Sequence, residues 1–557
     1  MTVLPDGRSV GTPILARCTP WRSLRRRPPE TRHSGRNGLK SPQKPPPRRV
    51  NGENRSVTTD TRGLAAPADE DPGAGPEVPA RADGHAAVPP ADRTSGLPLL
   101  LRQVLPGLVA FIAVLRMVQP VRDPDTFWHL AAGDHLRRTW SFSGSDPWST
   151  MSTQPWRLHE WLPELLMSLT QQVFGLPGVS WLLPLGAAAI ALCLWVVVRR
   201  EAPLLVTAIV LVGALVGMSG SLSLRPQLVS FALVTVTTGA WLTTRRDGRA
   251  RWWLVPLTWV WACSHGMWFV GVVVGIVALV GLFLEGVARG RAWLRLALVP
   301  LGSLVAAAVT PVGPALLTAP FAVREYARFV TEWRSPALTD IAFIAFLVSA
   351  AVTLLIWSRE RRRTPWTEIL LVGLAVGFAL LYVRTVAVGA AILAPMAAMA
   401  IARVARLPRE PLHRREVALT VGLTASALAV AAFLAPARGA QPEWGPNDLD
   451  RQLAALPAAT VLCNDYGSGG WLIWKHPNVR PAIDGRTEIY AVSYVEDYMT
   501  FQRAAPGWDA YLEKTGCRWA LVPSDLPVAE ALVRQAHWTV AARGSTYLLL
   551  RSSTATG

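Results

Sequence analysis

The sequence predicts a polytopic α-helical membrane protein of about 11 transmembrane helices with a small C-terminal α/β domain. Three observations predict it. The chain has 557 residues, of which 51% are hydrophobic and only 17% charged, where soluble domains carry about 25% charged residues. Apolar stretches of about 20 residues recur along it, the length needed to cross a bilayer as a helix. The gaps between them alternate: Arg-rich gaps take turns with gaps holding isolated Asp, Arg, His and Glu. Under the positive-inside rule this alternation selects one topology.

Residues 1–98 come first. They are rich in Pro, Arg, Gly and Ala, and their first 62 residues carry 14 Arg/Lys against 4 Asp/Glu. Such a segment cannot bury enough apolar surface to order itself, and it reads as a disordered cytoplasmic tail. The expected spans are 99–119, 179–198, 203–218, 226–243, 252–264, 267–288, 293–310, 338–357, 367–383, 386–404 and 416–436. Together 99–436 form the transmembrane domain, with an external loop at 120–178. The apolar helix 158–174 starts with His159, Glu160, Pro163 and Glu164, so it is read as lying in the interface. If it crossed, five basic loops would fall outside. Residues 437–557 change character. "ATVLCND", "RPAID", "WALVPS" and "STYLLLRS" read as short strands, and "GWDAYLEKTG" and "PVAEALVRQA" as helices. This segment is expected outside the membrane.

The net charge of +18 is spread over the tail and the short loops. It is therefore no nucleic-acid footprint, and no nucleic-acid partner is expected. Membrane lipid is the partner that the composition demands. The five Cys form no CxxC pair. Cys463 and Cys517 fall in the same C-terminal segment and could form a disulfide, though spacing alone does not decide it.

The candidate chemistry gathers opposite the basic loops. In "VRDPDTFWHL" the carboxylates of Asp123 and Asp125 flank Pro124. They could share a divalent cation such as Mg or Mn, or divide acid and base roles, or Asp125 could simply cap a helix. Phe127 and Trp128 are expected at the headgroup level, with His129 beside them. In "SDPWSTMSTQPWRLHEWLPELL", Trp148, Trp156 and Trp161 suit either sugar stacking or a membrane interface, and His159 and Glu160 form an ionisable pair at the membrane edge. Arg225, His265, Glu332 and Arg384 stand at the ends of spans on the same face. The guanidinium forks of Arg225 and Arg384 match phosphate oxygens. "GSGG" at 467–470 lacks the spacing of a nucleotide loop, and "DGR" at 484–486 reads as a turn.

"DPDTFWHLAAGDHL" followed by "SDPWSTMSTQPWRLHEWLPELL" resembles the signature of a bacterial multi-span membrane family similar to GT-C-type glycosyltransferases. "WACSHG", "TPVGP", "TEWRSP" and "NDYGSGGWLIW…IDGRTEIY" fit the same family in order, over about 120–550. Cys263-Ser264 stand where Asn-Leu is expected, and "TPVGP" replaces Asn-Pro-Tyr-Gly. The resemblance implies a GT-C-like fold in a bacterial cytoplasmic membrane. It further implies that Asp123 or Asp125 is a catalytic base acting on an acceptor hydroxyl, with inversion at the anomeric carbon of a polyprenyl-phosphate-linked sugar. Arg225 and Arg384 would bind the donor phosphate, and Trp128, His129, His159, Glu160, His265 and Glu332 the substrates. The acceptor would be a cell-envelope glycan, lipid or protein. Two other readings remain at this level. One is a transporter or flippase of lipid-linked glycan, which would need polar residues deep in the spans. The other is a non-catalytic membrane scaffold.

Overall fold

A computed structural model describes residues 98–319, 323–361, 363–407, 410–443 and 445–553. The tail expected over 1–98 lies outside these residues but for its last position. Helices α1 (Leu99–Arg116) and α2 (Asp125–Thr139) are followed by a two-stranded ribbon of β1 (Ser143–Gly144) and β2 (Trp156–Arg157). The bundle continues with α3 (Trp161–Arg199), α4 (Leu204–Met218), α5 (Gln227–Asp247), α6 (Leu254–Ala262), α7 (Trp268–Leu284) and α8 (Gly290–Ala308). It ends with α9 (Ile341–Arg359), α10 (Trp366–Leu381), α11 (Val386–Ala405) and α12 (Arg414–Arg438).

A helix stands at each expected span position, but only seven, among the described residues, are long and apolar enough to cross a membrane. The count of 11 is therefore not supported as it stood. The shortfall has physical causes. α6 has nine residues, a length of about 14 Å at 1.5 Å per residue against a hydrocarbon core of about 30 Å. α7 and α10 are apolar but fall below 18 residues. α5 is diluted by Thr235, Thr237, Thr238, Thr243 and Thr244 and ends in Arg245-Arg246-Asp247. The segment read as interfacial and the second expected span share the single run α3, broken at Gly175, whose φ of 64° and ψ of −161° are not helical. Pro177 follows at once, so the chain re-enters the helix in a new direction.

Some of the Arg residues in the basic gaps pair with Glu from other parts of the bundle. Arg199 donates to Glu416 at 2.8 Å with both side chains buried, Arg246 to Glu201 at 2.7 Å, and Arg245 to Glu285 at 2.7 Å. These pairs join α3 to α12 and α5 to α7 at the end of the bundle away from Asp123 and Asp125.

Beyond α12 the chain forms α13 (Asp450–Ala454), β3 (Thr460–Asn464), α14 (Tyr466–Lys475), β4 (Val479–Pro481), α15 (Val492–Gln502), α16 (Ala510–Thr515), β5 (Trp519–Pro523), α17 (Pro527–Arg534), β6 (Thr539–Arg543) and β7 (Tyr547–Arg551). The sheet order is β4-β3-β5-β7-β6. β3 runs parallel to β4 and β5, and β7 runs antiparallel to β5 and β6. Cys463 on β3 and Cys517 before β5 are joined in a disulfide, with Cα atoms 5.7 Å apart, while Cys193 and Cys263 are free thiols.

This part of the chain docks on the bundle through α14. Asp465 caps α14, its carboxylate accepting from the amides of Gly467 at 3.0 Å and Ser468 at 3.2 Å. Trp471 and Leu472 are buried in the same core as the membrane helices. Phe127 was expected at the headgroups, but it is fully buried against Trp474, ring centroids 5.3 Å apart. The "GSGG" run serves this contact: a Cβ on Gly470 would lie 2.9 Å from the Pro124 carbonyl oxygen.

Cys463 and Cys517 should resist thiol alkylation in the denatured, unreduced chain, whereas Cys193 and Cys263 label. Replacing both with Ala should cost the sheet about 4 kcal/mol, the loop-closure value for a bridge of this span, read as a lowered unfolding midpoint.

Candidate functional site

Pro124 bends the chain so that Asp123 ends an extended segment and Asp125 opens α2. The capping task considered for Asp125 falls to Asp123, whose Oδ1 accepts from the Asp125 amide at 3.1 Å. The other oxygen of Asp123 and the carboxylate of Asp125 face Arg225, in the short turn between α4 and α5. Arg225 donates to Asp123 at 2.6 Å and to Glu332 at 3.3 Å, and forms an ion pair with Asp125 at 3.0 Å. The guanidinium is 13% exposed and its fork is filled by carboxylates. A phosphate at Arg225, the role expected of it, would have to displace ions already in place. Arg384 differs. It reaches Glu332 at 3.6 Å and the His265 ring at 3.4 Å, and its Nε is buried without a hydrogen-bond partner. Burial pushes the Asp125 carboxyl up to about 6; Arg225 pulls the other way and Asp123 adds to the rise.

A second cluster lies beside the first. Glu160, just before α3, is ringed by imidazoles: His159 at 3.5 Å, His265 at 3.6 Å and His129 at 3.9 Å. Burial works against its charge, yet the imidazoles hold its carboxyl well below the usual carboxylate range. Burial would also discharge His159, but its hydrogen bond and charge interaction with Glu160 push it up to about 9, an imidazolium at neutral pH. Burial takes His265 down to about 3. Its Nδ1 is 2.8 Å from the Ser230 hydroxyl, which accepts from Trp261 at 2.7 Å. His129 Nδ1 lies 2.8 Å from Glu164.

The structure thus brings all ten expected residues into two adjoining groups, with Trp128 as the border. Its ring centroid is 3.6 Å from that of His129. Trp148, Trp156 and Trp161 are not an open stacking platform. Trp148 and Trp156 meet edge to face at 5.2 Å, and Trp161 meets Phe142 at 5.6 Å.

Three features were missed by sequence reasoning. Glu164, one helical turn after Glu160, was noted only as polar; its i+4 spacing was the available signal. The "DGR" turn is a clamp: Arg486 donates to Asp146 at 2.6 Å and Asp484 at 2.7 Å and stacks on Trp148 at 4.7 Å. Gly485 lies over Asp125 and Trp128 so closely that a Cβ there would collide with the Asp125 carboxylate. Tyr466 donates to the Gly485 carbonyl at 2.9 Å and fixes that approach.

A divalent cation does not fit Asp123 and Asp125 as they stand, because Arg225 already supplies their positive charge. The donor set that fits one is His129, Glu160 and Glu164, whose ligand atoms lie within 4.8 Å of one another.

Removing the Arg225 guanidinium leaves three carboxylates uncompensated. Arg225→Ala should lose about 3–5 kcal/mol of stability at pH 8. Without Arg225 the Asp125 carboxyl titrates above 6, so the loss should shrink as pH falls toward 5 and that group takes up its proton. Thermal melts across pH check this; a loss independent of pH contradicts it.

No protein-family model matches the chain, and no curated protein matches it in sequence. Solved structures match its fold. The oligosaccharyltransferase of Archaeoglobus fulgidus, tethered with an acceptor peptide containing the NVT sequon, superposes with a TM-score of 0.51 at 13% identity, over 76% of this chain and 69% of that one. The same enzyme in complex with Zn and sulfate gives 0.49 at 13% identity, over 76% and 68%. ArnT from Cupriavidus metallidurans bound to undecaprenyl phosphate gives 0.44 at 14% identity, over 82% and 98%. The first match carries the assignment: this multi-pass membrane chain has the GT-C-like fold that its sequence resembles.

Proposed function

We propose that this protein is a membrane glycosyltransferase that moves a sugar from a polyprenyl-phosphate donor to an acceptor at the outer face of a bacterial cytoplasmic membrane. The observation that carries the reading is one juxtaposition in a GT-C-like bundle. A carboxyl pushed up to about 6, Asp125, is linked through Arg225 and Glu332 to Arg384, an arginine with an unpartnered buried donor.

Asp125 is the base. Asp123 is occupied by the α2 cap and by Arg225, whereas Asp125 shares only Arg225 and has a proton affinity suited to neutral pH. The acceptor O–H proton passes to the Asp125 carboxylate as the acceptor oxygen bonds to the anomeric carbon. The bond from that carbon to the phosphate oxygen breaks, and its electron pair leaves with the polyprenyl phosphate. Attack from the opposite face inverts the centre. Arg384 donates to the leaving phosphate, a stabilisation worth most in a dry site. Arg225 and Glu332 hold Asp125 and Arg384 apart and in register. His159, as an imidazolium, contributes a donor to substrate hydroxyls. A divalent cation, when bound, would be held by His129, Glu160 and Glu164 and would fix α2 against α3. The C-terminal sheet domain, docked over α2, forms the acceptor side, and the acceptor class is a cell-envelope glycan, lipid or protein.

Purified wild type given radiolabelled polyprenyl-phosphate sugars, with a membrane extract as acceptor source, should transfer label. Asp125→Asn, equally folded, should lose transfer by at least about 100-fold; Asp123→Asn should lose less. Absence of transfer from any donor, or equal transfer by Asp125→Asn, contradicts the proposal. The rate should also depend on pH. The base must be ionised, so transfer should fall as pH drops through about 6. That apparent value belongs to the coupled carboxylates rather than to Asp125 alone. A rate flat from pH 5 to 8 would remove Asp125 as base.

A further inference from the structure

We infer that His129, Glu160 and Glu164 form a buried cation site that pins α2 to α3, separate from the Asp123–Asp125 pair. Two independent observations support it. The first is the donor set: one imidazole and two carboxylates with ligand atoms within 4.8 Å of one another, a span that small side-chain rotations contract onto an ion at about 2.0–2.2 Å from each donor. The second is an orphan. Glu164 is 1% exposed, and its Oε2 has no hydrogen-bond partner. A buried carboxylate oxygen left unpaired is costly, and a bound cation removes that cost.

Burial defines the type of site. His129 is 2% exposed and Glu160 9%, so the donors lie away from bulk solvent. Three protein donors leave a further coordination position to water, and their burial between two helices makes the ion a bridge. The helices already meet closely there: a Cβ on Gly133 of α2 would run into the Glu164 carbonyl of α3. An ion bridging His129 on α2 and Glu164 on α3 fixes the helix whose first residue is Asp125. Imidazole with carboxylates favours Zn2+ over Mg2+, which prefers oxygen ligands and retained water. The Asp pair offers oxygen ligands only, and Arg225 occupies them.

The test uses the full chain in detergent with Zn2+ itself as probe, so transfer activity plays no part in the readout. Wild type should bind one equivalent by titration calorimetry, undisturbed by millimolar Mg2+, with a raised melting temperature. Asp123→Asn/Asp125→Asn should bind with unchanged affinity. Glu164→Gln and His129→Gln should each weaken binding by at least about 100-fold, since loss of a ligand costs no less than loss of a ligand's own support. Should a ligand variant fail to fold, the Cu2+-loaded wild type decides: nitrogen hyperfine coupling from an imidazole supports the site, and a spectrum of oxygen ligands alone overturns it. No Zn2+ bound by wild type overturns it, as does binding lost in the Asp pair variant and kept in Glu164→Gln.

Discussion

The ion cluster at Arg225 is the constraint on which the site depends. One guanidinium gathers Asp123 and Asp125 from the start of α2 and Glu332 from the segment between α8 and α9, and Glu332 in turn reaches Arg384 before α11. Three negative charges so close cannot all be ionised without compensation. Arg225 supplies much of it. Burial is the main reason that the proton affinity of Asp125 is raised, with the neighbouring Asp123 adding to it. All three nitrogens of the Arg225 guanidinium face carboxylates, whereas Arg384 keeps an unpartnered Nε.

Packing from the C-terminal part of the chain covers that cluster. α14 lies on α2 because Gly470 permits it, and Gly485 brings the "DGR" turn over Asp125. Arg486 then ties the same turn to Asp146 and Trp148 of the first loop. Backbone contacts complete the frame: the amides of Thr153 and Gln154 donate to the Ile489 carbonyl at 2.9 and 3.0 Å, and Tyr326 donates to the Tyr490 carbonyl at 2.9 Å. Three segments distant in sequence thus enclose one end of the helical bundle, and the sheet behind α14 gives that enclosure its stiffness. Close approach of backbone, rather than phosphate binding, explains the glycines of "GSGG".

The helices were legible because apolar runs and charged gaps are local patterns. Their crossing power was less so: α6 and α7 share one long apolar stretch that the Cys263–Gly266 turn cuts into pieces of nine and 17 residues. The strands of "ATVLCND" and "WALVPS" were legible from short β-rich runs, whereas β6, an exposed edge strand reading "TVAAR", carries no apolar alternation. Cys463 and Cys517 were an open pair, since 54 residues of separation say nothing about proximity. The candidate site divides in the same way. Its residue types were visible as polar groups at apolar ends, but their partners were not. Arg225 and Asp123 are 102 residues apart, and no periodicity links them, so an arginine engaged with carboxylates looks the same in sequence as one free for phosphate. Phe127 illustrates the opposite error: an aromatic residue beside a span reads as a headgroup anchor until Trp474 arrives to bury it.

The most direct test of this account is a structure of the protein with a polyprenyl phosphate bound. Arg225 should remain on Asp123 and Asp125 while the phosphate sits within hydrogen-bonding distance of Arg384. A phosphate seated on Arg225, with the two aspartates turned away from it, would contradict the account at its root.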